Sequence, residues 1–262
     1  MSDATASTPA EAVSNANSTA AIPIPAENVP VSPPVPRKMM LYLVRHGQTF
    51  YNVEQRLPGQ LPGVALTEEG KQQAARLGAA IQDMPLTAIV TSPLERARDT
   101  AAIVGQYHDV LVREDPRLMD TDVGRWSGRT IDEVSRSDPD WQRFVRRPTQ
   151  PPAGIEGFYQ VLSRVVAAAE AARHDDALGD AIMLVAHADI IRLLIIHYFQ
   201  LPIEGAHWLH IENAAITVLA FENDHGPQLQ ALNWAPLPAW LRPTPLAVTT
   251  PAEVTATHTS EE

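Results

Sequence analysis

The chain has 262 residues, 45% of them hydrophobic, no cysteine, and a formal net charge of -11. That length can bury one sizeable core, and the absence of thiols excludes a disulfide framework, a thiolate nucleophile and a cysteine-type zinc site. The acidic balance argues against a general nucleic-acid binder, which needs a basic footprint.

Residues 1–38 are rich in Ala, Ser, Thr, Asn and Pro, as in "IPIPAENVPVSPPVP", and show no hydrophobic period. Such a segment cannot bury enough apolar surface to offset ordering, so a disordered tail is expected. Residues 243–262 have the same character, which leaves 39–242 as one folded domain. The N-terminal stretch lacks the positive start and apolar run of a secretory signal, so export is not expected, and a cysteine-free composition suits the cytoplasm. Ile190 to Leu201 is the most apolar later stretch, but it is shorter than a bilayer span and carries Arg192 and His197. It reads as a core helix, with no membrane partner.

Met39 to Val44 is a continuous apolar run, as in a strand buried on both faces. A helix follows Thr67, because Ala74, Leu77, Gly78 and Ile81 recur at helical spacing after the acidic pair Glu68 and Glu69. "LTAIV" (86–90) predicts a second strand. Ser92 with Glu95 predicts a capping box with Pro93 at the first helical position, and 110–112 predicts a third strand. Between 116 and 155 the pattern is less regular: Thr130 with Glu133 predicts a capped helix, and "DPDWQRFVRR" a second short one, together forming a lid or insertion. Helix is expected over 156–174, strand over "AIMLVA" (181–186), helix over 189–199, and strands over 215–221 and 228–234. Strands alternating with helices predict an α/β fold, a mostly parallel central sheet with helices on both faces.

Ligands in such sheets bind beyond the carboxyl ends of the strands. Three polar clusters fall there: Arg45 and His46 after the first strand, Ser92 to Arg96 after the second, and His187 after "AIMLVA". Two arginines, two histidines and several helix starts at one edge suit a multi-oxygen anion, most naturally a phosphoryl group, since the guanidinium fork matches phosphate oxygens bidentately. A neutral, oriented imidazole can attack phosphorus, flanking cations can hold the developing charge, and a carboxylic acid must protonate the leaving alkoxide.

The segments "LVRHGQTFYN", "LTEEG", "TSPLERARDTA", "DTDVGRWSG" and "LVAHADIIR", in that order across 40–235, resemble the histidine phosphatase superfamily, which includes cofactor-dependent phosphoglycerate mutases and fructose-2,6-bisphosphatase. The resemblance implies a phosphoglycerate mutase-like three-layer sandwich and a metal-independent phosphatase that needs no cofactor and hydrolyses a small phosphorylated metabolite. It further implies His46 as the phosphohistidine nucleophile, Arg45, Arg96 and His187 as the phosphate pocket, and Gln48 and Asn52 as polar substrate contacts; Gly47 lets backbone approach the phosphate. It also admits a homodimer.

Two positions depart from the family pattern. Asp120 in "LMDTDVG" stands where glutamate is usual, and "HAD" replaces the usual "HGG" or "HGx", which makes Asp189 the rival proton donor to Asp120. Arg125, Arg129, Arg143, Arg146 and Arg147, interleaved with Trp126 and Trp141, fit either a solvated helix face or a lid gripping further negative charge. Three alternatives follow: a phosphomutase using the same phosphohistidine, a magnesium-dependent aspartyl phosphatase suggested by "DTDVG", and a silent phospho-ligand binding module. The second is disfavoured because Pro116 and charges precede the motif where a buried strand is required.

Overall fold

The computed structural model describes residues 38–222 and 226–238. The expected tails, residues 1–37 of the first and 243–262 of the second, lie outside the described residues. The strands are β1 (Met39–Arg45), β2 (Ala88–Thr91), β3 (Leu111–Glu114), β4 (Ala181–Ala186), β5 (Ile216–Phe221) and β6 (Pro227–Trp234). The α-helices are α1 (Phe50–Val53), α2 (Glu68–Ala80), α3 (Glu95–Gly105), α4 (Ile131–Ser137), α5 (Pro139–Arg146), α6 (Phe158–Arg173) and α7 (Ala188–Phe199).

All six strands form one sheet in the order β3-β2-β4-β1-β5-β6. The pairs β2–β3, β2–β4 and β1–β4 are parallel, and β1–β5 and β5–β6 are antiparallel. The sheet is therefore mixed and mostly parallel, as expected for an α/β domain. Alternation along the strands sorts the core into two layers. Leu41 and Leu43 of β1, Ala88 and Val90 of β2, and Ile182 and Leu184 of β4 join α6 and α7 on one face. Tyr42 and Val44, Ile89, and Met183 and Val185 join α2 and α3 on the other. The continuous apolar run "AIMLVA" is what a strand covered on both faces requires.

Thr67 caps α2 by accepting from the Gly70 N–H, and Thr130 with Glu133 closes the expected capping box of α4. The box expected at Ser92 and Glu95 does not form. Helix α3 starts at Glu95, its N-cap is Leu94 with no side-chain cap, and Glu95 instead accepts from the Gly63 N–H at 2.9 Å. The second strand begins at Ala88 rather than 86, because Leu86 is held in a turn by a bond to the Met84 carbonyl. Edge strand β3 runs to Glu114, past the expected 112, and all four of its residues are exposed. Helix α1, too short for a periodic signal, was not anticipated.

The insertion between β3 and α6 packs onto the layer that contains α6 and α7, through Trp126, Val134 and Phe144. Trp126 is fully buried, donates its Nε1–H to Asp138 at 2.8 Å, and meets Trp141 edge-on. Among the described residues, no helix is long and apolar enough to cross a membrane.

Candidate active site

Register aligns the ends of three neighbouring strands. Arg45 of β1 pairs with Ala186 of β4, and Thr91 of β2 with Val185 of β4. His46, His187 and Ser92, each one residue past a strand, therefore emerge together. The two imidazoles lie 5.2 Å apart between ring centroids.

His46 is buried, and its Nδ1 lies 2.7 Å from the Gly47 carbonyl. A carbonyl only accepts, so Nδ1 carries the proton and the lone pair sits on Nε2. Burial, followed by the charges of His187, Arg45 and Arg96, holds His46 well below the ordinary histidine range, so it is neutral at physiological pH. The main chain around it is tied down: His46 N–H donates to Ala186 O at 3.0 Å, and Gly47 N–H to Thr100 Oγ1 at 2.9 Å. A Cβ at Gly47 would collide with the Gly70 carbonyl, and one at Gly70 with the Gln48 carbonyl. The close main-chain approach seen at Gly47 is to the first turn of α2.

His187 is oriented by Ser92. The Ser92 hydroxyl oxygen accepts from Leu94 N–H at 3.3 Å and lies 2.9 Å from His187 Nε2. Donation of its own proton to Nε2 leaves the second proton position of the neutral ring on Nδ1, which lies 3.6 Å from Asp120 Oδ2. Burial, then the cations Arg96 and Arg45, pushes His187 well below its ordinary value.

Arg96 is completely buried; its Nη2 donates to Gly59 O at 2.8 Å and to Asp120 Oδ2 at 3.0 Å. Arg45 Nη1 donates to Ile211 O at 2.6 Å. Desolvation, then the Arg192 charge, lowers Arg45 to about 10, which leaves it protonated at neutral pH. Among the described residues, Arg45 Nε, Arg96 Nε, Arg96 Nη1 and His187 Nδ1 are buried without a hydrogen-bond partner. Unpaired buried donors cost roughly 1–3 kcal/mol each, and more when charged, unless an anion satisfies them. Four of them around a neutral imidazole form an arrangement that suits an oxyanion.

Both rival acids stand beside it. Asp120 is held by Arg96 and by its neighbour's N–H, Thr121, at 3.0 Å. Asp189 accepts from Thr121 Oγ1 at 3.3 Å and from Arg192 at 2.9 Å. Desolvation raises the Asp189 carboxyl above its ordinary value; the Arg192 cation opposes this, and the Asp120 charge adds to it. Asn52 closes the capping box of α1, and its Oδ1 accepts from Thr49 and from Asn213 Nδ2 at 3.1 Å, so only its NH2 remains to donate. Gln48 Oε1 accepts from Thr67 at 3.0 Å, which likewise leaves its NH2. Asp122, the other carboxylate of "DTDVG", accepts from Gly124 N–H at 2.8 Å, whereas Asp120 binds Arg96. The two do not share a site.

Sequence reasoning missed the supports. Asn213 joins His46 O to Asn52. Arg164 donates to the carbonyls of Arg117, Met119 and Asp120 and pairs with Glu156, which fixes the Asp120 loop. Gln60 adds a bond to Asp120 O at 2.9 Å. Thr100 stands in "TSPLERARDTA", but nothing in that motif says that it holds Gly47. The lid arginines are mostly spent on the lid: Arg125 pairs with Asp138 and Asp140, Arg143 with Asp140, and Arg129 donates to Ser137.

The sequence profile of the histidine phosphatase superfamily (branch 1) matches residues 41–235. A Shigella boydii serotype 18 protein named "Probable phosphoglycerate mutase GpmB" is 32% identical over 187 residues, 70% of this chain and 86% of the relative. The mycobacterial glucosyl-3-phosphoglycerate phosphatase in complex with VO3 superposes with a TM-score of 0.67 at 31% identity, covering 75% of this chain and 100% of the other. The alpha-ribazole phosphatase of Shigella flexneri does so with a TM-score of 0.67 at 27% identity, over 75% of this chain and 96% of the other. Profile, relatives and fold agree with the motif order read from the sequence, and the chain belongs to the histidine phosphatase superfamily.

Proposed function

We propose that this protein is a metal-independent phosphomonoesterase that hydrolyses a small phosphorylated metabolite through a phosphohistidine at His46. The observation that carries the reading is the Nδ1–H bond from His46 to Gly47 O, which leaves a neutral Nε2 lone pair among unpartnered donors of two arginines and one neutral histidine. In the first step Nε2 attacks phosphorus, the ester P–O bond breaks, and Asp120 gives its proton to the leaving oxygen. Arg45, Arg96 and His187 Nδ1–H stabilise the charge on the equatorial oxygens, so two guanidinia take the place that a cation holds in other phosphoryl transfers. In the second step Asp120 takes a proton from water, the hydroxide attacks phosphorus, and the N–P bond breaks to restore the imidazole. The NH2 groups of Gln48 and Asn52 are further donors to the phosphoryl group. The cysteine-free composition supports a reducing, cytoplasmic setting.

Asp120 is the preferred acid because it alone of the two lies against both Arg96 and His187. Asp189 is the second reading, favoured by its raised pKa. Phosphatase is preferred to mutase because a mutase substrate such as phosphoglycerate carries a second anionic group, whereas Arg125 and Arg143 of the lid are neutralised by Asp138 and Asp140.

The test follows 3-phosphoglycerate and an aryl phosphate by phosphorus NMR in chelator-containing buffer, with and without a trace of 2,3-bisphosphoglycerate. Inorganic phosphate released by the wild type, and lost about 10³-fold or more in His46→Ala, is the expected result. Bisphosphate-dependent formation of 2-phosphoglycerate identifies a mutase, and activity that survives in His46→Ala removes the phosphohistidine.

A further inference from the structure

Beside the phosphate site lies a second cavity, about 250 Å³, between α5, the start of α6, the start of α7 and the 3₁₀ segment Ile203–Trp208. Trp141 and Phe144 form part of its apolar wall, and Asp189, Arg192, Glu204 and His207 supply polar groups. Its polar side adjoins the reacting centre. Asp189 stands two residues past His187 and is bonded to Thr121, the neighbour of Asp120. Arg192 Nη1 holds Asp189, and its Nε donates to Leu209 O at 2.7 Å. Neither Glu204 nor His207 has a side-chain hydrogen bond or ion pair among the described residues, and both are exposed at the rim.

We infer that this cavity is the leaving-group subsite, and that it takes a neutral, hydroxyl-rich ring such as a sugar. The inference rests on the phosphatase reading and names its substrate class. A carboxylate only accepts hydrogen bonds and a guanidinium only donates them, and here Asp189, Glu204 and Arg192 stand together; hydroxyl groups, which both donate and accept, can serve both kinds of partner from one ring. The aromatic wall covers the apolar C–H surface of that ring, in the usual manner of ligand sites that combine apolar walls with a few polar groups. An aryl leaving group would fill the wall but offer no hydroxyl to the polar groups beside it. A glycerate carboxylate would meet two carboxylates and one guanidinium. The lid arginines Arg143, Arg146 and Arg147 line a separate groove that shares no residue with this cavity.

Two measurements test it. First, kcat/KM is compared for neutral hexose phosphates, 3-phosphoglycerate and an aryl phosphate, in the wild type and in Trp141→Ala, Glu204→Gln and Arg146→Ala. The wild type is expected to prefer a hexose phosphate over 3-phosphoglycerate. Trp141→Ala and Glu204→Gln should each lower the hexose-to-aryl ratio about tenfold, the worth of one charged hydrogen bond or stacking contact, and Arg146→Ala should leave the ratio unchanged. Second, calorimetry on His46→Ala compares the binding of hexose phosphate and 3-phosphoglycerate without turnover, and the hexose phosphate is expected to bind more tightly. Equal or reversed binding, or a ratio unmoved by Trp141→Ala and Glu204→Gln, overturns the subsite even where hydrolysis through His46 is intact. Turnover that survives in His46→Ala overturns the mechanism instead, while the binding comparison still decides the subsite.

Discussion

The arginines at the carboxyl edge of the sheet and the pair Arg125 and Arg143 on the lid look alike in the sequence and behave in opposite ways. Arg96 is buried with Nε and Nη1 unpartnered, and Arg45 with Nε unpartnered. Arg125, half exposed on the lid, is held by two carboxylates, and the shared Asp138 carboxyl is pulled well below the usual range first by Arg125 and then by the Trp126 N–H. A buried guanidinium with spare donors is an incomplete structure that an anion completes. A guanidinium saturated by neighbouring acids is a strut. What separates binder from strut is the count of unmet hydrogen bonds, not the count of positive charges.

The sharpest way to break this contrast is to remove one member of each kind. Arg96→Met should lower kcat/KM about 10³-fold, or about 4 kcal/mol of transition-state stabilisation, and should abolish protection of the fold by inorganic phosphate in thermal melts. Arg125→Gln should lower the melting midpoint slightly and leave phosphate protection intact. Equal effects of the two on phosphate affinity would erase the distinction.

A smaller effect separates the two acids. Asp120→Asn should slow alkyl phosphates by about 10²-fold more than aryl phosphates, whose leaving groups need little protonation. Should Asp189→Asn show that selective loss instead, with both sugar and simple alkyl esters, the proton donor is Asp189.

The smallest effect is on stability against pH. His46 and His187 are neutral in the fold, with pKa values depressed below that of the unfolded chain. Above about pH 6.5 neither state binds the proton, and no penalty exists. As pH falls below that value the unfolded chain binds protons that the fold refuses, so stability drops by at most about 1.4 kcal/mol per pH unit for each histidine. Urea unfolding between pH 7.5 and 5 should show the loss, and His187→Gln should shrink it; an unchanged slope in that variant would mean that His187 is charged in the fold.

The residues legible in advance were those whose position follows from local pattern. His46 and His187 end apolar strands, and parallel register alone brings strand ends together. Arg96 was legible as part of the polar cluster that follows the second strand. Ser92 was misread because "SPLE" satisfies the local rule for a helix cap, while its actual partner, His187, is 95 residues away in the chain. Arg164 and Asn213 were invisible for a related reason: their partners are largely main-chain carbonyls, which leave no trace in residue identity. The same applies to the lid, where the arginine-and-tryptophan pattern did not show that Arg125 and Arg143 are spent on Asp138 and Asp140.

The paired glycines Gly47 and Gly70 bear on how this protein can change over generations. Each sits where an added methyl would strike the main chain of the other's loop, so neither substitution is relieved by a side chain turning away. A compensating change at the partner position does not help, because what obstructs is a carbonyl that every residue carries. Drift is therefore closed at both sites at once, whereas the cavity residues Trp141, half-buried, and Glu204, exposed, carry no such main-chain constraint. A lineage can exchange the cavity residues one substitution at a time while the loop that bears His46 stays put.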